Sequence, residues 1–108
     1  MIDKENLAFI KKHIGMFFID ENSQVEITNF FYGYLYAYSR CLADSEQSQK
    51  NYNDELSEFL KMKYQYQSAR HWTALIDTLY EQHKQNDEKF YQFLIDNLID
   101  FQTLKQFG

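Results

Sequence analysis

The chain has 108 residues, 44% of them hydrophobic and 25% charged, with no proline, a single cysteine and a formal net charge of −5. That length fits one domain over 1–108 with one core, a single cysteine rules out an intrachain disulfide, and the acidic balance argues against nucleic-acid binding, which rests on Lys and Arg. No run of about 18 apolar residues is present, so no membrane-spanning helix is expected.

With no proline and only three glycines, helix breakers are few. The first helix is expected over about 4–14, with Asp3 as its cap, Leu7, Ile10 and Ile14 on one face, and Gly15 closing it. This N-terminus has acidic residues up front and no long apolar run, so it does not read as a secretory signal. Met16–Ile19 reads as a strand or a buried connector, and 20–23 as a polar turn.

The next stretch, Phe30–Tyr38, has six aromatic residues in nine. Alternating Tyr32, Tyr34, Tyr36 and Tyr38 read as a strand. At helical spacing, however, Phe31, Tyr34, Leu35, Tyr38, Cys41 and Leu42 form one stripe, with Asn29, Tyr32, Tyr36, Ser39 and Arg40 opposite. The helical reading uses more of the segment and predicts a helix over about 26–43, with Thr28 as cap. Gly33 and Ala37 would permit a close helix approach.

The polar stretch 43–53 lacks periodicity and is expected to be a loop. Asn53 before Asp54 and Glu55 marks the next helix start, and Leu56, Phe59, Leu60 and Tyr64 its buried stripe. A break is expected near 65–68. Ala69, Trp72, Ile76, Leu79 and His83 outline a further helix. After Asn86-Asp87-Glu88, a last helix of about 20 residues carries Phe90, Leu94, Leu98 and Phe101 on one face. The fold class expected is therefore all-α, a compact bundle of four to five helices.

Nothing local marks catalysis or a metal. His71 and His83 are 12 apart, no Glu-x-x-His occurs, and the glycines are isolated. Cys41 lies on the apolar stripe and reads as a buried thiol. Asp96 and Asp100 share a helix face that reads as solvated. No catalytic residue, metal site or cofactor is assigned.

Charge is uneven: 1–19 carries +1, 20–58 carries −6, 59–76 carries +3 (Lys61, Lys63 and Arg70), and 77–108 carries −3. Tyr32 and Tyr36 are aromatic yet fall on the polar side of their helix. Asp44, Glu46, Asp54, Glu55 and Glu58 follow in the acidic segment. Tyrosines rimmed by carboxylates suit a basic protein partner. The candidate partner-binding residues are therefore Tyr32, Tyr36, Asp44, Glu46, Asp54, Glu55 and Glu58.

The segment from Val25 to Ala37 resembles a Phe-x-x-Gly-Tyr-x-x-Ala pattern in helices of small bacterial immunity proteins, matched here by Phe30, Gly33, Tyr34 and Ala37. These include partners of contact-dependent growth inhibition toxins and of colicins. The resemblance implies a non-enzymatic cytoplasmic protein that binds and blocks one cognate toxin domain, commonly a basic nuclease. Binding residues are not shared in such proteins, so none is carried over. The alternative is a small helical regulatory or adaptor protein, a homodimer through an aromatic patch.

Overall fold

Apolar residues at three- and four-residue spacing recur along nearly the whole chain, and a computed structural model, describing residues 4–41 and 51–107, turns each such run into a helix. The helices are α1 (Lys4–Lys12), α2 (Gln24–Cys41), α3 (Tyr52–Lys63), α4 (Trp72–His83) and α5 (Phe90–Phe107), with a short 3-10 turn at Ile14–Met16. No strand occurs among the described residues. The all-α bundle expected from the sequence is the fold observed.

Packing explains why the tyrosine run is helical. Phe31 and Leu35, four apart, are both fully buried, and Ile27 extends that stripe by another turn. Tyr34 and Tyr38 are half-buried beside it, whereas Tyr32 and Tyr36 are exposed. A strand would have put all four tyrosines on one face.

Helix α5 is the centre of the bundle and packs against α1, α2, α3 and α4. Its apolar face is wide, with Phe90, Phe93, Leu94, Ile95, Leu98 and Phe101 buried, as suits a helix that contacts four others. Its polar positions are used as ties. Asn97 accepts from Lys63 Nζ at 2.7 Å and from Tyr64 Oη at 3.0 Å. Asp96 pairs with Lys11 at 2.7 Å and Asp100 with Lys63 at 2.8 Å. These two carboxylates are thus not simply solvated, because they link α1 and α3 to α5.

Asn53 is among the most fully buried polar residues. Its Nδ2 donates to the Tyr32 carbonyl of α2 at 3.2 Å, and its Oδ1 accepts from the Trp72 indole Nε1 of α4 at 2.9 Å. Ser57, one turn on, accepts from the Trp72 backbone N–H at 2.9 Å and donates to the Asn53 carbonyl at 3.0 Å. Trp72 is wholly buried and Asn53 is 1% exposed. Three helices therefore meet at one satisfied amide.

Several local expectations change. Asn53 does not start α3; Asn51 does, accepting from the Asn53 backbone N–H at 2.9 Å. Thr28 lies buried inside α2, and Ser23 supplies the cap by accepting from the Glu26 N–H at 3.2 Å. Met16–Ile19 forms no strand and is not a buried connector, because Phe18 alone of the four is buried. Gly15 lies in the 3-10 turn without positive φ, and Gly33 is exposed with open space where a Cβ would stand, so neither serves a tight cap or a close helix contact. Ala69 precedes α4, which begins at Trp72. The expectations for Asp3, Leu42 and the side chain of Cys41 lie outside the described residues.

After α3 the chain reverses through Gln65, whose φ is 52°. The Tyr66 N–H donates to the Lys61 carbonyl at 2.9 Å and the Gln65 N–H to the Met62 carbonyl at 3.3 Å, a Schellman closure with glutamine where glycine is favoured.

Two substitutions should shift stability in opposite directions. Asn53→Ala leaves the Trp72 indole N–H buried without a partner and should cost about 1–3 kcal/mol. Gln65→Gly removes a left-handed strain at an exposed site and should add about 0.5–1 kcal/mol. Urea denaturation midpoints would check both.

Candidate functional site

The buried node places three surface residues side by side. Tyr32 supplies the carbonyl held by Asn53, Asp54 follows Asn53 in α3, and His71 precedes Trp72 at the start of α4. The Tyr32 ring stands edge-on to the His71 imidazole with centroids 5.8 Å apart. His71 Nε2 lies 3.8 Å from Asp54 Oδ1. Asn29, Tyr32, His71 and Thr73 line an open groove of about 390 Å³.

His71 caps α4. Its Nδ1 accepts from the Thr73 backbone N–H at 3.4 Å and lies 3.1 Å from Thr73 Oγ1. An accepting Nδ1 must be unprotonated, which puts the ring proton on Nε2, toward Asp54. Burial lowers the pKa of His71 below its ordinary value of 6.5; Asp54 opposes that shift and Lys61 adds to it. The positive end of the helix dipole at this position acts in the same direction. His71 is thus a neutral cap near pH 7, and its approach to Asp54 is not a full ion pair. At 3.8 Å that approach is also beyond hydrogen-bond reach, so Asp54 does not orient the ring as in a nucleophile–base relay.

The sequence-predicted residues divide. Tyr32 and Tyr36 are 43% and 51% exposed, one turn apart on α2, in a stripe that also includes Val25 and Asn29. Asp54 is exposed beside His71. Glu58, one turn further along α3, is exposed but 3.5 Å from Lys61 Nζ. Glu55 is half-buried and is not displayed with them. Asp44 and Glu46 lie outside the described residues. Sequence reasoning missed His71, Thr73 and Asn29. The signal available for His71 was its place immediately before the apolar run Trp72–Leu79, where a helix cap belongs.

Among the described residues no group of three or more His, Cys, Asp or Glu side chains is arranged to hold a metal ion, and no helix is long and apolar enough to cross a membrane. The groove is open, with Tyr32 as its one aromatic wall, and the exposed Asp54 carboxylate lies beside it, near His71. Comparison with protein-family models, curated proteins and solved structures found no match.

The His71 cap has a pH signature. A histidine held neutral in the fold contributes stability that is full above its unfolded pKa of 6.5 and is lost as pH falls through the lower folded value. Asparagine also caps helices but does not titrate. His71→Asn should therefore flatten the fall in stability between neutral and mildly acidic pH. Equal slopes in denaturation midpoints of the two proteins would refute the neutral-cap assignment.

Proposed function

We propose that this protein binds and neutralises a basic toxin domain, using the Tyr32–Tyr36 stripe of α2 flanked by Asp54 and Glu58 of α3. The observation that carries this reading is the pair of exposed tyrosines on a helix whose other aromatics are drawn inward. Exposed aromatics supply desolvation and packing energy at interfaces. The surrounding acidic segment, with −6 over 20–58, supplies attraction and steering toward a cationic surface.

The basic stretch Lys61–Arg70 would oppose such a partner if its charges were free. Lys63 is tied to Asp100 and Asn97, and Lys61 lies beside Glu58, which leaves Arg70 as the exposed cation of that stretch without a carboxylate partner among the described residues. The resemblance of Phe30, Gly33, Tyr34 and Ala37 to the immunity-protein pattern supports the same reading. Tyr34 is half-buried and packs on Phe30 and Phe31, so within that pattern it serves the fold.

Growth rescue tests the proposal. The C-terminal domain encoded by the reading frame upstream is expressed in a bacterial host with and without this protein. Toxicity cured by this chain is the expected result; toxicity that it cannot cure, or a harmless upstream product, overturns the reading. Tyr32→Ala with Tyr36→Ala should weaken toxin binding by about a hundredfold or more while leaving stability within about 0.5 kcal/mol. Calorimetric titration and thermal melting read the two effects separately.

A further inference from the structure

A second exposed surface lies at the corner between α1 and α2. Phe9, Met16, Phe17 and Ile19 are 49%, 73%, 38% and 102% exposed. Phe9 packs edge-on to Phe17 at 6.3 Å and Phe17 reaches Phe30 at the same distance, and Met16 and Ile19 flank Phe17 closely in the chain. Ile19 is fixed beside the start of α2 by its N–H, which donates to Glu26 Oε1 at 3.4 Å. Large apolar side chains clustered in solvent mark a contact surface. Phe30 and Tyr32 are two residues apart on α2 and so point about 160° apart around it. The corner is therefore separate from the tyrosine stripe.

The charges around the corner identify what fits it. Lys12 is exposed three residues from Phe9 on α1, and Asp20 and Glu21 are exposed just beyond Ile19 in the chain. Among the described residues none of the three has an oppositely charged partner. An anionic bilayer offers no positive charge to meet Asp20 and Glu21 and would be repelled by them. A uniformly basic partner would meet Lys12. A second copy brings both signs to the contact, so that Lys12 of each protomer can meet Asp20 and Glu21 of the other, as an isologous contact requires.

We propose that the α1–α2 corner is a self-complementary homodimer surface, with Phe9, Met16, Phe17 and Ile19 at its centre and Lys12 facing Asp20 and Glu21 across the axis. The tyrosine stripe stays uncovered in such a dimer, so this inference does not depend on the toxin-binding reading.

Sedimentation equilibrium of the full chain, over roughly 1 μM to 1 mM, tests it. A concentration-dependent dimer is expected. Ile19→Asp alters a side chain wholly in solvent, so the fold should persist, as circular dichroism would verify, while dissociation becomes easier by about tenfold or more. Lys12→Glu alone, and Asp20→Lys with Glu21→Lys alone, should each weaken self-association. Mixing these two variants restores both cross-axis contacts and should give a heterodimer as tight as the wild-type dimer. A monomer at every concentration overturns the proposal. So does a dimer indifferent to Ile19→Asp, or charge variants that fail to pair when mixed. Adsorption of the monomer to phosphatidylcholine vesicles without self-association would assign the patch to a lipid surface instead.

Discussion

The Asn53 amide is the point on which the arrangement of α2, α3 and α4 turns. Apolar stripes pull helices together but resist sliding and rotation only through packing. A buried amide with both ends engaged is directional. Its donor is committed to α2 through the Tyr32 carbonyl, and its acceptor to α4 through the Trp72 indole. Any shift that breaks one of these bonds leaves a polar group without water, and the penalty exceeds the modest gain the bond contributes when made. Ser57 adds a second tie to Trp72, so the indole ring and its backbone are both located. The surface above inherits this order, because Tyr32, Asp54 and His71 are the bonded residues themselves or their immediate neighbours in the chain.

Around that node α5 supplies the apolar mass, and its few polar side chains close the bundle's edges. The ion pairs from Lys11 and Lys63 to α5 are partly exposed and contribute little to stability, about 0–1 kcal/mol each. Their larger effect is on the surface charge. The lysines that would make a basic strip on α3 are neutralised at its edge, and the acidic character of the tyrosine side is left dominant.

How much of this could be read from the residues depended on the distance over which each interaction acts. Helix positions followed from spacing, and the choice between helix and strand for the tyrosine run was decided by Phe31 and Leu35, four apart and both apolar. Trp72 as core was legible for the same reason. Caps were less so: Ser23 and Glu26 stand three apart in a capping-box spacing inside a segment that reads simply as a polar turn, and Asn51 and Asn53 are identical residues two positions apart. The role of Asn53 was not legible, because its partner is an indole N–H 19 residues away. The same holds for the tyrosine–histidine–aspartate cluster, which joins three helices and has no local pattern. The exposed corner was hidden by composition: Met16–Ile19 has the sequence of a buried segment and is left largely in solvent by a 3-10 turn.

The position of α1 carries a further consequence. It packs chiefly on α5, through Leu7 and Ile10 and the Lys11–Asp96 pair, and lies away from the amide node. Among the described helices α5 is its main neighbour, and a helix held chiefly by one neighbour is the piece most readily released without melting the rest, so its amide protons should exchange through a local opening. If two copies meet at the α1–α2 corner as proposed, a released α1 would be free to dock on the partner's α5 in place of its own. The geometry that leaves α1 separable thus also sets the conditions for exchange of that helix between protomers, a route by which a reversible contact becomes an interlocked one.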